Sequence, residues 1–241
     1  MRIGVVSDIH SNLTALVAVL DDMGAVDQLW CLGDFVGYGP WPNECIDLLR
    51  ERGALAIAGN HDLAAIGTLS CEDFNGDAAI AARWTADQLS PSSRSYLESL
   101  RPIGEVEGVT LAHGTPREPV WEYMLSASTA AAGFDAIDTD LCLVGHTHIP
   151  SLFVESESGV PEVSYMPGGA TSPSAPLQRI VNPGSVGQPR DRDPRAAYLV
   201  YDTDAKELAW RRVEYDIDKV QKRMRELGLP AFLTERLAYG V

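Results

Sequence analysis

The sequence predicts an α/β fold built on a parallel sheet that is buried on both faces. In the first 60 residues, short apolar runs at 3–7, 28–32 and 54–58 alternate with helical patterns at 13–23 and 43–52. Parallel strands that helices cover on both faces give continuous apolar runs, so this alternation predicts a β-α-β-α-β unit. The 241 residues are 45% hydrophobic and 22% charged, which is typical of a folded globular protein.

The second half of the chain is predicted to be rich in strands. From Ile103 onward short apolar runs recur, and one helix interrupts them at 126–134. The predicted strands are residues 109–112, 141–144, 151–155, 162–165, 179–181, 196–201 and 207–213. The tail at 216–241 has helical periodicity with Lys and Arg, so we expect a surface helix docked on the core.

Two segments stand apart from the regular pattern. Residues 62–100, approximately, form a predicted helical insertion, with an amphipathic helix at 75–89 and a shorter helix that starts at Ser90-Pro91. Residues 155–177, approximately, are rich in Gly, Pro and Ser and are expected to form a hairpin with a mobile tip. The sequence has no internal repeat, and 1–241 is interpreted as a single domain.

The net charge and the cysteines limit which binding partners and which cellular compartment the sequence predicts. The net charge of -15 disfavours polymeric nucleic acid and anionic membranes as partners and favours a small substrate. The negative charge does not exclude a phosphorylated substrate, because bound cations can make the local potential at an active site positive.

The four cysteines have no C-x-x-C spacing and are interpreted as buried thiols. With no signal peptide or transmembrane-length run, a cytoplasmic location is expected; the oligomeric state is not indicated.

Histidines follow the predicted strands with unusual regularity. All five come directly after apolar runs, at His10, His61, His113, His146 and His148. Asp8, Asp34 and Asn60 occupy equivalent places. A histidine taken alone would more often be a packed or surface residue, but chance explains the joint placement poorly. Because ligands bind beyond the carboxyl ends of strands in α/β sheets, these side chains are expected to converge on one crevice.

The donor types indicate a metal centre. Imidazole, carboxylate and amide oxygen together suit divalent ions such as Mn, Fe, Co, Ni and Zn. The candidate ligands are Asp8, His10, Asp34, Asn60, His113, His146 and His148. They are more donors than one ion needs, so they predict two ions that share a carboxylate, for which Asp34 is the natural candidate.

The motifs resemble those of the calcineurin-like metallophosphoesterases. The resemblance covers 8–148 and rests, in order, on Asp8-Ile9-His10, Gly33-Asp34, Gly59-Asn60-His61-Asp62, His113-Gly114 and Gly145-His146-Thr147-His148. The segment 182–190 is similar to the closing loop of the small bacterial and archaeal phosphodiesterase branch. The resemblance implies a four-layer αββα sandwich, in which two mixed sheets are flanked by helices.

The resemblance also implies how the ligands divide. One ion would be held by Asp8, His10, Asp34 and His148, and the other by Asp34, Asn60, His113 and His146. The implied reaction is hydrolysis of a phosphodiester or phosphomonoester by a hydroxide that the two ions activate. His61 would act as the general acid. Asp62 would either orient the His61 imidazole or serve only as a helix N-terminal residue.

Substrate contacts are less defined. Asn12, Tyr38 and Tyr123 are candidates to line the pocket, although aromatic residues at such places often only pack. The arginines of the segment 190–195 could offer guanidinium groups to a phosphate, but the surface-loop interpretation is favoured because they alternate with aspartates. The alternatives are a nuclease or protein phosphatase of the same fold and a weakly catalytic metal-binding scaffold. The complete motif set favours catalysis over the scaffold.

Overall fold

The computed structural model describes residues 1–172 and 177–241, and it contains two mixed β-sheets in that part of the chain. The strands are β1 (Arg2–Val6), β2 (Gln28–Cys31), β3 (Leu55–Ala56), β4 (Ile103–Val106), β5 (Val109–Ala112), β6 (Leu141–Val144), β7 (Ser151–Val154), β8 (Glu162–Tyr165), β9 (Thr171–Ser172), β10 (Arg179–Asn182), β11 (Ala196–Asp202) and β12 (Glu207–Val213). The helices are α1 (Leu13–Met23), α2 (Pro42–Glu51), α3 (Asn60–Ala65), α4 (Gly76–Gln88), α5 (Pro91–Ser99), α6 (Ala127–Phe134), α7 (Ile217–Glu226) and α8 (Ala231–Glu235).

The strand order joins the two halves of the chain within each sheet. The first sheet has the order β3-β2-β1-β11-β12-β9, and the second has the order β4-β5-β6-β10-β7-β8. Strands β1, β2 and β3 are parallel to one another, as are β5, β6 and β10, while the remaining pairings are antiparallel. Of the parallel strands, β1, β2, β5, β6 and β10 lie inside their sheets, whereas the short β3 forms an edge of the first sheet.

A shared apolar layer holds the sheets face to face. From the first sheet, Ile3, Val5 and Trp30 point into it, and from the second sheet Leu111 and Leu143 do so. Neighbouring residues on the same strands point outward and pack against helices, because successive side chains of a strand alternate between faces. Helices α1 and α2 cover the first sheet, and α6 covers the second. The expected four-layer αββα sandwich is confirmed.

Most predicted elements match the structure to within a residue or two. The helix at 13–23 is α1, and its first turn is capped by Asn12, whose Oδ1 accepts from the Ala15 amide at 3.1 Å. Strand β3 is shorter than predicted because the chain bends away: the amide of Ala58 donates to the carbonyl of Arg101 instead of to β2. Strand β4 was not predicted, since Gly104 and Glu105 interrupt its apolar pattern.

The predicted hairpin at 155–177 divides between the two sheets. Strands β7 and β8 form an antiparallel hairpin in the second sheet, as expected. The chain then crosses to the first sheet, where β9 pairs with β12. Residues 173–176 of the predicted hairpin lie outside the described residues, and the mobility of its tip stays a prediction.

The helical segments form a separate apolar cluster at one end of the sandwich. Within 60–99 the structure has α3, α4, α5 and a 3-10 turn at Cys71–Asp73. The C-terminal tail contains two short helices, α7 and α8, rather than one. Ala81 of α4 packs with Val220, Met224 and Leu233 of the tail. The tail is therefore docked on the helical insertion, and the single-domain organisation of 1–241 stays a prediction.

The predicted burial of the cysteines holds for three of the four. Cys31, Cys45 and Cys142 are buried free thiols, whereas Cys71 in the 3-10 turn is only half-buried. Among the helices of the described ranges, none combines the length and the apolar character that crossing a membrane requires.

Candidate metal centre

The candidate ligands lie where the parallel strands of both sheets end. Asp8 and His10 follow β1, Asp34 follows β2, and His113 follows β5. Asn60 is the first residue of α3, and His146 and His148 follow β6. All seven side chains are at most 4% exposed. The convergence that the sequence predicts at the strand ends is therefore the arrangement in the structure.

The backbone that presents these ligands is strained. Asp8, His10, Asp34, His146 and His148 all have left-handed φ angles, between 47° and 65°. This conformation is unfavourable for residues other than glycine, and it is held here by main-chain hydrogen bonds between neighbouring loops. The amide of Asp8 donates to the Gly33 carbonyl at 3.1 Å, and that of His10 to the Asp34 carbonyl at 3.0 Å. Strain of this kind concentrates at functional sites.

The ligand atoms form two groups that meet at one carboxylate. In the first group, atoms of Asp8, His10, Asp34 and His148 all lie within 4.8 Å of one another. In the second group, atoms of Asp34, His113 and His146 do so. Asn60 joins the second group, since its Oδ1 lies 3.1 Å from Nε2 of His113. Asp34 is common to both groups, as expected of a shared ligand.

The two oxygens of Asp34 have different environments. Oδ1 accepts a hydrogen bond from the main-chain amide of His61 at 2.9 Å. Oδ2 is buried and has no hydrogen-bond partner among the described residues. It lies 3.5 Å from Nε2 of His10 and 3.4 Å from Nε2 of His113. An unpaired buried carboxylate oxygen is costly, and cations on its two sides would remove that cost.

Hydrogen bonds set which nitrogen each imidazole offers. Nδ1 of His10 donates to the Val36 carbonyl at 3.0 Å, and Nδ1 of His148 donates to the Gln188 carbonyl at 2.6 Å. Both rings therefore turn an unprotonated Nε2 toward the site, and these two atoms lie only 3.1 Å apart. Two facing lone pairs repel each other unless a cation lies beside both. This geometry fits a bound metal ion.

Main-chain hydrogen bonds also orient the two imidazoles of the second group, but in one of them the roles of Nδ1 and Nε2 are exchanged. Nδ1 of His113 donates to the Leu32 carbonyl at 2.8 Å, so Nε2 faces the other ligands, 3.1 Å from Asn60 Oδ1. In His146 it is Nε2 that donates, at 3.3 Å to the Trp121 carbonyl, so Nδ1 is the free atom. Each imidazole thus has one nitrogen held by the main chain and one available as a ligand.

Burial and neighbouring charges keep most of these imidazoles neutral. Burial lowers the pKa of His146 to about 3 and shifts the pKa values of His10 and His148 below their ordinary value. Burial also acts to lower the pKa of His113, but the Asp34 carboxylate outweighs it and raises that pKa to about 9. The strong field beside Asp34 therefore attracts positive charge, which a metal ion would supply in place of a proton.

His61 lies beside the ligands without belonging to either group. Its ring packs between Tyr38, at 4.4 Å between centroids, and Phe74, at 4.8 Å. Nδ1 has no hydrogen-bond partner in the described part of the chain, and burial lowers the pKa of the ring to about 4. Gly37 has a left-handed φ of 92° and lies so close that a Cβ atom there would come within 2.6 Å of Nδ1.

Both oxygens of Asp62 are held by main-chain amides and neither is hydrogen-bonded to the His61 ring, which corrects the expectation that Asp62 orients the imidazole. Its Oδ2 accepts from the Gly59 amide at 2.9 Å, and its Oδ1 accepts from the Val36 amide at 3.2 Å. Asp62 thus caps the first turn of α3, the second of the two roles that the sequence left open. Burial and the charge of Asp34 raise the pKa of Asp62 to about 8.

A cavity of about 210 Å³ opens directly over the ligands. Its lining includes the expected Tyr38 and Tyr123, and the Tyr123 ring stacks on His146 at 4.1 Å. Asn12 does not line it, because its side chain caps α1 and donates to the Gly187 carbonyl. The sequence did not identify Asp73, Phe74, Asn75 and Trp121, which also line the cavity. They carry no motif: Asp73, Phe74 and Asn75 reach the site through packing of the helical insertion, and Trp121 reaches it from the segment between β5 and α6.

The charged segment 190–195 is only partly the surface loop that was expected. Arg192 and Arg195 are on its outer side, and Arg195 forms an exposed ion pair with Asp193 at 2.7 Å. Arg190 instead turns inward and lines the cavity. The expectation is wrong for Arg190, because its side chain extends over the Tyr38 ring, with Cζ 5.9 Å from the ring centroid.

Comparison with known proteins gives the family. The family model for the calcineurin-like phosphoesterase superfamily domain matches residues 1–206. This chain belongs to that superfamily. The uncharacterized protein MJ0912 of Methanocaldococcus jannaschii is 40% identical over 250 residues, which cover 99% of this chain and 98% of the relative. The resemblance drawn from the motifs is confirmed, and at the general level this calcineurin-like phosphoesterase is a hydrolase.

Solved structures agree with the fold of this phosphoesterase. A metallophosphoesterase from Sphaerobacter thermophilus matches with a TM-score of 0.92 and 48% identity over 100% of both chains. The hypothetical protein PH1004 from Pyrococcus horikoshii OT3 matches with a TM-score of 0.82 over 100% of this chain and 98% of its own. At 21% identity, the second comparison supports the fold alone.

Replacing Asp34 with Asn tests whether its carboxylate is shared between two ions. The substitution keeps the shape of the side chain and removes the charge, so the metal-to-protein ratio is expected to fall by about half or more. Inductively coupled plasma mass spectrometry of desalted protein measures this ratio. Asp47→Asn is the matched control, because Asp47 is an exposed carboxylate paired with Arg50. Equal metal content in both variants would contradict the shared position of Asp34.

Proposed function

We propose that this phosphoesterase hydrolyses small phosphate esters with the help of two divalent transition-metal ions, drawn from Mn, Fe, Co, Ni and Zn. The observation that carries the proposal is the unpaired Asp34 Oδ2, which lies between His10 and His113. A carboxylate in that position suits a bridge between two ions. The full-length match to the metallophosphoesterase of Sphaerobacter thermophilus supports the metal dependence.

The ligand assignment follows the two groups of atoms. One ion would be held by Asp8, His10, Asp34 and His148, and the other by Asp34, Asn60, His113 and His146. When bound, two such ions would offset the negative charge of the phosphate oxygens and strengthen water as a nucleophile. The chain fixes the ligand geometry in advance through the main-chain hydrogen bonds to each imidazole.

His61 is the candidate general acid. Its ring lines the cavity beside the ligands, and its Nδ1 is not engaged by another described residue. Contacts with Tyr38 and Phe74 hold the ring in place from two sides. Burial lowers the pKa of this ring to about 4, so the role of general acid requires a bound phosphate ester to raise that pKa by its negative charge. The protonated ring would then pass its proton to the oxygen of the leaving group as the ester bond breaks. Asp62 would act only indirectly, by fixing the first turn of the helix that carries His61.

The cavity supports a small substrate rather than a polymer. At about 210 Å³ it is small, and aromatic side chains of Phe74, Trp121 and Tyr123 contribute to its walls. These walls limit access to the ligands and would exclude bulk water from a bound ester. The net charge of -15 also disfavours a polyanionic chain as substrate. We therefore propose a small phosphorylated molecule as the natural substrate.

A metal-reloading screen tests the proposed function directly. Protein stripped by a chelator and reloaded with Mn, Co, Ni or Zn is expected to hydrolyse p-nitrophenyl phosphate or bis-p-nitrophenyl phosphate. The stripped protein is expected to be inactive, because the ligands alone cannot offset the phosphate charge. Absorbance of released p-nitrophenolate measures turnover and also distinguishes monoester from diester preference. No turnover with any of the ions would contradict hydrolysis and favour a metal-binding scaffold.

Replacing His61 with Ala tests the role of general acid. Turnover of an alkyl phosphate ester is expected to fall by about 10²-fold or more, because an alkoxide leaves poorly without a proton. Turnover of the p-nitrophenyl ester should fall much less, since the phenolate is a good leaving group. Initial rates on the two esters, together with the metal content of the variant, measure the effect. Equal losses on both esters would contradict this role.

Replacing Gly37 with Ala tests whether the position of the His61 ring matters. The added Cβ would meet Nδ1 at 2.6 Å and displace the ring, so turnover of the alkyl ester is expected to fall by roughly 10²-fold. Gly67→Ala is the matched control: Gly67 has a similar left-handed φ of 83°, but a Cβ there meets no atom within 4 Å. Equal rates in the two variants would show that backbone strain alone explains the effect.

A further inference from the structure

A second cavity continues from the one over the metal ligands. It has a volume of about 310 Å³ and shares Tyr38, Asn75, Tyr123 and Arg190 with the first cavity. Its remaining walls are Phe232, Leu233 and Arg236, all from the C-terminal tail. A ligand whose phosphate lies at the metal centre can therefore extend past Tyr38 and Tyr123 toward the tail.

Two arginines face this second cavity, and neither is paired with an acidic side chain of the described residues. Arg190 donates from Nη2 to Tyr38 Oη at 3.3 Å and to Gln188 Oε1 at 3.1 Å, while its Nε has no partner among the described residues. Arg236 donates from Nε to a main-chain oxygen of Val241, the last residue of the sequence. Within 1–172 and 177–241, neither guanidinium forms an ion pair with an acidic side chain.

This arrangement is unusual for so acidic a chain. The protein has 34 Asp and Glu residues against 19 Lys and Arg, so ion-pair partners are abundant. Burial and the charge of Arg190 together lower the pKa of Arg236 to about 10. Two like charges that share one cavity wall repel each other, and a bound anion would remove that repulsion. Guanidinium groups match phosphoryl oxygens especially well, because several N–H donors lie in one plane.

Packing of the tail places Arg236 at the cavity. Its guanidinium lies over the Phe232 ring, with Cζ 5.1 Å from the centroid, and the neighbouring Leu237 is buried. The tail ends against the loop of Arg190, where the Arg192 amide donates to the Gly240 carbonyl at 2.7 Å. Arg236 lies beyond residue 206, where the match to the family model ends. The tail of this chain thus contributes a charged group to the surroundings of the family's metal site.

We propose that Arg190 and Arg236 form a subsite for a second phosphoryl group, so that the preferred substrate carries two phosphoryl groups. The proposal rests on the proposed function, because it places the scissile phosphate at the metal centre. The exposed rings of Phe232 and Tyr123, which are 60% and 45% exposed, border the same cavity and offer apolar surface to the remainder of the substrate.

Competitive inhibition of p-nitrophenyl phosphate hydrolysis tests the subsite. AMP is compared with α,β-methylene-ADP, whose second phosphoryl group continues the chain, and with adenosine 3′,5′-bisphosphate, whose second group is a separate ester. In the wild-type holoenzyme, at a fixed free metal concentration, at least one of the two doubly phosphorylated ligands should bind more tightly than AMP. The expected difference in inhibition constant is about tenfold or more. The ligand that shows this advantage identifies how the second phosphoryl group is linked.

Substitution of Arg236 tests whether the tighter binding of the doubly phosphorylated ligand depends on the subsite. In Arg236→Gln the advantage over AMP is expected to disappear, and in Arg236→Lys it is expected to return in part, because the positive charge is kept. Arg223→Gln is the matched control: Arg223 is an exposed arginine of the same tail, paired with Glu226, and does not line either cavity. No advantage in the wild type, or an advantage that survives in Arg236→Gln, would overturn the subsite.

Titration calorimetry with the same ligands separates this proposal from the proposed function. If the wild-type protein hydrolyses neither nitrophenyl ester, the proposed function fails. Tighter binding of the doubly phosphorylated ligands that depends on Arg236 would still establish the subsite. If the esters are hydrolysed while the ligands bind equally to the wild type and to Arg236→Gln, hydrolysis stands and the subsite fails.

Discussion

The buried carboxylate of Asp34 is the group on which the rest of the site depends. One of its oxygens is held by the main chain of α3, while the other lies unpaired between His10 and His113. Leaving such an oxygen without a hydrogen bond in the interior is costly. Burial lowers the pKa of His10 on one side, whereas Asp34 raises the pKa of His113 on the other side to about 9. The surroundings therefore favour positive charge on both sides of one atom, which is the electrostatic requirement of a dinuclear metal centre.

The sandwich supplies this arrangement by bringing two sheet edges together. Parallel strands β1 and β2 end beside β5 and β6, so that loops from both sheets meet over the inter-sheet core. The loops adopt left-handed conformations at the ligands, and the rigid strands beneath them support the strain. A Cβ atom at Gly59 would overlap the Asp34 carboxylate, so the close approach of α3 requires glycine there. Fold stability and ligand geometry thus depend on the same contacts.

The sequence could predict those features of the fold and site that depend on local patterns or on motifs. The strand-end positions of Asp8 and His113 follow from apolar runs, and their grouping follows from parallel strands ending at one edge. The role of Asp62 could not be decided in this way, because capping and ring orientation use the same position in a helix. The inward turn of Arg190 and the approach of Arg236 depend on how distant segments pack. No pattern within either segment indicates that they face the same cavity.

Anomalous diffraction from crystals grown with Mn²⁺ tests whether Asp34 is shared between two ions, because it locates ions without reference to activity. Two anomalous peaks are expected, one on each side of Asp34 Oδ2. One peak would be surrounded by Asp8, His10 and His148, and the other by Asn60, His113 and His146. A single peak, or two peaks that do not share Asp34, would contradict a dinuclear centre bridged by this carboxylate.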